Sequence, residues 1–241
     1  MKVAATAAFA IAVQLAVMGA GMASGSEARA EGFISGGVPI TVEWFDPPAG
    51  GVGPGLLLLH GADGLSRADV YHGAARFVAG AGYRVFFVHY LDRTGERRAS
   101  FGTVQRNFPA WAETVQEAVT YVSTQPGVDP RRVGVIGFSL GGALGLTAAA
   151  RDGRIKAFVN FFGFVPAGLA SAGRLPPTLT LHGAADPIVP VQNAYTLDAL
   201  LQARGVEHET VIYLGQGHGL FGEAQVDSAR RAVAFLDRHL R

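Results

Sequence analysis

The chain has 241 residues, 20 of them basic and 19 acidic, with 49% hydrophobic positions and no cysteine. That length suits one domain with a sizeable core, and a near-neutral charge gives no electrostatic footprint for nucleic acid or an anionic membrane surface. Without a thiol there are no disulfides and no cysteine-based metal or redox chemistry, so stability must come from packing.

Met1-Lys2 precedes an apolar run from Val3 to Met22, interrupted by Gln14, and then a small-residue stretch with Ala28 and Ala30. The pattern reads as a secretory signal peptide over residues 1–30, cut after Ala30, with Ala23 as the other cleavage point. The competing reading is an uncleaved membrane anchor, because the run nearly reaches the ~20 residues that span a bilayer. Cleavage leaves residues 31–241 as one domain with 18 basic against 18 acidic residues. Such a protein is expected to be secreted or periplasmic, without stable membrane association, as a monomer or homodimer.

Ile40–Trp44 alternates like an edge strand, and Pro47-Pro48 with Gly50-Gly51 marks a turn. Leu56–Leu59 is a continuous apolar run, as expected of a strand buried on both faces. Ser66 and Asp69 resemble a capping box that opens a helix with Val70, Ala74, Phe77 and Ala81 on one face and Gly82 as its stop. Tyr83–His89 is the next strand, and a polar, arginine-rich irregular connection runs from Tyr90 to Arg106. Asn107 then caps a helix carrying Phe108, Trp111, Val115, Ala118, Val119 and Val122 at helical spacing, ended by Pro126-Gly127.

A short apolar run from Val133 feeds Gly137-Phe138-Ser139-Leu140-Gly141, and a helix over Leu140–Arg151 follows at once. Strands over Ile155–Phe162 and Leu179–His182, a helix over Val191–Arg204, a strand over Glu209–Leu214 and a closing helix complete the series. The closing helix has Val226, Ala229, Val233, Leu236 and Leu240 as its core stripe. Only Phe164–Leu175 separates the strand after Ser139's helix from the next one, which leaves no room for a large lid. Strands alternating with helices predict an α/β fold, a mostly parallel, doubly wound sheet with helices on both faces.

Gly137-x-Ser139-x-Gly141 between strand and helix is the nucleophile-elbow pattern. A serine on so sharp a turn projects its hydroxyl above the sheet, and the next amide, Leu140 N–H, opens a helix and points at the reacting carbonyl. A serine hydroxyl needs a base, and the base an orienting carboxylate. Both should lie just beyond strand ends, where a parallel sheet exposes its loops. Asp186 in His182-Gly-Ala-Ala-Asp-Pro-Ile-Val-Pro190 and His218 in Gly217-His218-Gly219 satisfy that placement. Asp186 before Pro187 could also serve as a helix cap or Asx-turn. The second oxyanion donor is assigned to Ala62 N–H in His60-Gly-Ala-Asp-Gly64, with Asp63 as the alternative, and His60 is expected to brace that loop.

The Leu-rich strand ending in His60-Gly61, the Gly137–Gly142 elbow, the His182–Pro190 segment and Gly217–Gly219, in the order Ser, Asp, His, resemble the dienelactone hydrolase family of α/β-hydrolases over nearly all of residues 31–241. The founding members of that family use cysteine where this chain has Ser139, and carry a glutamate where Gly61 stands. They hold a substrate carboxylate with arginines, which Arg93 matches only loosely in position; Arg97 and Arg98 lie nearby. The resemblance therefore implies a serine carboxylesterase acting on small esters or lactones through an acyl-enzyme, with no cofactor and no metal. A thioesterase or small peptidase is the alternative among enzymes. A non-catalytic binding protein on the same fold is the alternative outside them.

Overall fold

The computed structural model describes residues 29–169 and 173–241. The expected signal peptide falls almost wholly outside the described residues. Among the described residues, eight strands form one sheet in the order β1-β2-β4-β3-β5-β6-β7-β8. The hairpin β1 (Arg29–Ser35) and β2 (Val38–Phe45) is antiparallel to β4 (Arg84–Val88). All other pairings are parallel: β3 (Gly53–Leu59), β5 (Val128–Phe138), β6 (Ile155–Phe161), β7 (Thr178–Gly183) and β8 (His208–Tyr213). The helices are α1 (Ala68–Gly80), α2 (Phe101–Ser123), α3 (Leu140–Ala149), α4 (Gln192–Ala203) and α5 (Glu223–Leu240). Among the described residues no helix is long and apolar enough to cross a membrane.

The sheet divides the core in two, and β3 shows how. Successive strand residues point to opposite faces, so Leu57 and Leu59 join a cluster with Trp111 of α2, Leu144 of α3 and Leu197 of α4. Leu56 and Leu58 join the cluster of Tyr71 of α1 and Phe235 of α5 on the other side. A strand wetted on neither face has to be apolar throughout, and this one is.

Four expectations are corrected. The edge of the sheet is β1, not Ile40–Trp44; the Gly36-Gly37 pair, both at positive φ, closes a two-residue hairpin that puts β2 one place inward. No capping box opens α1: Ser66 Oγ donates to Asp63 O at 2.7 Å, and a 3-10 turn over Gly64–Arg67 comes first. The face α1 buries is Tyr71, Ala75, Val78 and Ala79, while Phe77 is exposed. Apolar residues surround this helix, so periodicity alone leaves its inward stripe open; Tyr71 turns inward, where its hydroxyl finds polar partners. Finally, α2 begins at Phe101, capped by a Ser100–Thr103 capping box rather than by Asn107, and Pro109 sits inside it. The burial of Trp111, Val115 and Val119 outweighs the one backbone bond that Pro109 removes. The irregular connection after Tyr90 is correspondingly shorter, and a 3-10 turn over Tyr90–Thr94 occupies part of it.

Candidate active site

Ser139 lies between β5 and α3 with φ 52° and ψ −113°, a conformation that L-residues adopt only when their surroundings enforce it. The surroundings are close-packed backbone. A Cβ on Gly137 would lie 2.4 Å from Gly141 O, and one on Gly141 would lie 2.4 Å from Leu59 O. Glycine at both positions thus lets the strand turn straight into the helix while the helix crosses the end of β3. The Ser139 amide donates to Phe161 O at 2.9 Å, which ties the elbow to β6.

His218 and Asp186 meet that serine. The loop after β7 carries Asp186, whose side chain is fully buried, and the loop after β8 carries His218, whose side chain is 21% exposed. His218 Nδ1 is 2.8 Å from Asp186 Oδ2 and Nε2 is 2.9 Å from Ser139 Oγ. An ionised carboxylate only accepts, so Nδ1 carries the proton and Nε2 is left to accept from the serine hydroxyl. The other carboxylate oxygen, Asp186 Oδ1, accepts from Ile188 N at 2.8 Å and Val189 N at 2.9 Å. One oxygen shapes the turn and the other holds the imidazole, so the turn-forming and orienting roles of Asp186 coexist.

Two further residues support this pair, and the sequence reading passed over both. His182, fully buried on β7, donates through Nε2 to Val189 O at 2.8 Å and stands 3.4 Å from Asp186 Oδ2. Burial lowers its pKa and keeps it neutral. Phe162 follows β6 with φ 42°, and its ring lies 5.0 Å from the His218 ring in an edge-on arrangement. Neither carried a usable signal: His182 reads as a strand residue, and a positive φ at phenylalanine cannot be foreseen from composition.

The His60–Gly64 loop passes beside the serine, since a Cβ on Gly61 would lie 3.5 Å from Ser139 Cβ. His60 braces the loop as expected. It is buried, stacks on Tyr90 with ring centroids 4.2 Å apart, and contacts Gly61 O through Nδ1 at 2.8 Å. Burial pulls its pKa down to about 4. Gly61 N donates to Tyr71 OH and Gly64 N to Gly61 O. Ala62 and Asp63, the two residues expected to supply a second oxyanion donor, are both half-buried. Leu140 N–H is the first amide of α3 and has no acceptor one turn back within the helix.

The dienelactone hydrolase family model matches residues 44–237, a span that includes all of these side chains. The chain belongs to the dienelactone hydrolase family. Over 130 residues it is 26% identical to a candidate carboxymethylenebutenolidase of Synechocystis sp., covering 50% of this chain and 52% of that protein. Over 151 residues it is 29% identical to the quorum-quenching protein AidA of Acinetobacter baumannii, covering 62% of this chain and 48% of that protein. The chain thus spans about half the length of these curated relatives. Among solved structures, a dienelactone hydrolase-like promiscuous phosphotriesterase from metagenomic libraries matches with TM-score 0.78 at 21% identity, covering 89% of this chain and 99% of that one. A puromycin-hydrolysing peptidase of Mycobacterium tuberculosis matches with TM-score 0.70 at 22% identity, over 88% of this chain and 39% of that one. These two likenesses concern the α/β-hydrolase fold.

Within this dienelactone hydrolase fold, Arg93 is not where a substrate contact needs it. Its guanidinium donates to Ser35 O at 3.1 Å and to Glu113 Oε2 at 3.2 Å, and it lies against Gly36 in the β1–β2 hairpin. Strand β1, which carries Ser35, is four strand spacings, roughly 19 Å, from β5 and its elbow. Arg93 ties the hairpin to α2. Arg97 and Arg98 are exposed, and the chain at Arg97–Ala99 packs on the loop beside Ser139, with Ala99 N donating to Ala62 O at 2.7 Å. Among the described residues no group of three or more His, Asp or Glu side chains is arranged to hold a metal ion.

Proposed function

We propose that the protein is a serine hydrolase that cleaves small ester or lactone substrates through an acyl-enzyme. The observation that carries this reading is the continuous hydrogen-bonded series from Asp186 through His218 to Ser139 Oγ, with steps of 2.8 and 2.9 Å, at the end of a parallel sheet where loops converge. Family membership supports the ester-hydrolase class.

In this mechanism Ser139 Oγ attacks the ester carbonyl as His218 Nε2 takes its proton. Asp186 holds the imidazole in the tautomer that can accept, and stabilises the imidazolium as it forms. The amides of Leu140 and Ala62 receive the developing oxyanion, a contribution worth about 10²–10³ in turnover per donor. His218 then returns the proton to the leaving alcohol, and water repeats the sequence on the acyl-serine. His182 and the turn amides of Ile188 and Val189 keep the Asp186 carboxylate in place while charge moves past it.

Hydrolysis of p-nitrophenyl acetate, a small lactone and a thioester, followed side by side, tests the reading and ranks the substrate classes. Turnover of the ester or lactone by the wild type is expected, with loss of at least three orders of magnitude in Ser139→Ala at an unchanged far-UV circular dichroism spectrum. Turnover retained in Ser139→Ala would remove Ser139 from the mechanism.

A further inference from the structure

Tyr71 lies on α1 outside the triad and is 6% exposed, yet its hydroxyl is the hub of the loop beside Ser139. It accepts from Gly61 N at 2.9 Å and donates to Asp63 Oδ1 at 2.6 Å. The ring is fixed as well as the hydroxyl, stacked on Phe87 at 5.6 Å and edge-on to Phe138 of the elbow at 5.5 Å. A hydroxyl held at both ends by a fixed ring restrains whatever it touches. Here it touches the backbone on one side of Ala62 and the side chain on the other.

The peptide that carries the Ala62 amide is held by other groups on its carbonyl side. Gly61 O is gripped from the buried side by His60 Nδ1 at 2.8 Å and Gly64 N at 3.1 Å. A trans peptide is planar, with N–H opposed to C=O, so the Ala62 N–H faces away from the core. The Asp63 carboxylate, meanwhile, folds back over Gly61, with Oδ1 2.9 Å from where a Gly61 Cβ would stand. A free carboxylate this near a developing oxyanion would oppose it. Burial, and then the Asp63 charge, raise the Tyr71 pKa well above its usual range, so the phenol stays a donor.

We propose that Tyr71 is a positioning residue for transition-state binding: by bridging Gly61 N and the Asp63 carboxylate, its hydroxyl aims the Ala62 amide at the oxyanion and withholds the negative charge from it. This rests on the serine-hydrolase reading above and adds a residue that touches no reacting atom. It also assigns the second donor to Ala62 rather than Asp63.

The test is Tyr71→Phe, alone and combined with Asp63→Asn, assayed for kcat, KM and affinity for a phenylboronic acid that forms a tetrahedral adduct on serine. Tyr71→Phe is expected to lower kcat and boronate affinity together by at least tenfold, with KM within about twofold of the wild type. Adding Asp63→Asn should recover at least threefold of the lost kcat, because a neutral amide does not repel the oxyanion; a merely structural tyrosine gives no such recovery. If Tyr71→Phe does not fold, Asp63→Ala takes its place, leaving the phenol without its acceptor, with a kcat fall of at least threefold at constant KM expected. Wild-type kcat in the folded variant, or a loss that Asp63→Asn leaves unchanged, overturns the proposal. A wild-type protein that neither hydrolyses esters nor binds boronate contradicts the serine-hydrolase reading itself, which is a different result from equal boronate binding by wild type and Tyr71→Phe.

Discussion

The buried His60 couples stability to pH. Unfolded, His60 binds a proton below about pH 6.5; folded, burial delays protonation until about pH 4. Between those values the unfolded chain holds the extra proton, so stability falls as pH drops from 6.5 to 4, by about 3 kcal/mol if the whole interval counts. His60→Phe keeps a ring to stack on Tyr90 and removes the titration. Urea midpoints at pH 7.5 and 4.5 should therefore lie closer together in the variant than in the wild type, and an equal drop in both would take His60 out of the account. Arg93 gives a second prediction at this scale. Its partners are Ser35 O and Glu113, so Arg93→Ala should destabilise by about 1 kcal/mol through a lost bond to the hairpin. It should leave the KM ratio between carboxylate-bearing and neutral esters unchanged. A selective rise in KM for the carboxylate esters would return Arg93 to the substrate.

Where helices begin was less legible than where strands run. Four leucines in β3 read as a strand buried on both faces and form one, whereas the expected cap of α2, Asn107, lies inside the helix, which begins at Phe101. The structure uses Ser100, which accepts from Thr103 N at 3.2 Å while Thr103 Oγ1 accepts from Ser100 N at 2.7 Å. Ser100→Ala should accordingly cost about 0.5–2 kcal/mol in thermal or urea unfolding, and Asn107→Ala essentially nothing; the reverse order would restore Asn107 as the cap. In α1 the existence of the helix was readable and its inward face was not, whereas in α5 Leu236 and Leu240 are buried as expected and the first turns of the stripe differ. Val226 is 50% exposed, while Ser228 and Phe235 are buried. Apolar residues are plentiful around both helices, and the sheet selects among them by shape and by polar partners, which spacing alone does not encode. The β1–β2 hairpin had no counterpart among the expected elements, and only Arg29 and Ala30 at the start of β1 belong to the stretch that reads as a signal peptide.

For the whole molecule, the parallel sheet determines what could be inferred. Loops after β5, β7 and β8 emerge on one edge, so residues 139, 186 and 218 converge because of topology and not because of any local sequence signal. That is why the three could be picked out by order and position, whereas Tyr71, which holds the loop after β3, and His182, which holds the loop after β7, could not. Their side chains look like ordinary core residues until the backbone atoms they touch are known. The most direct measurement is mass-spectrometric mapping after reaction with a fluorophosphonate ester, which traps a serine only when its base and oxyanion donors cooperate. A single stoichiometric adduct on the peptide containing Ser139, absent in Ser139→Ala and strongly slowed in His218→Ala, is the predicted result. An unmodified wild-type protein, or an adduct on another residue, would contradict it.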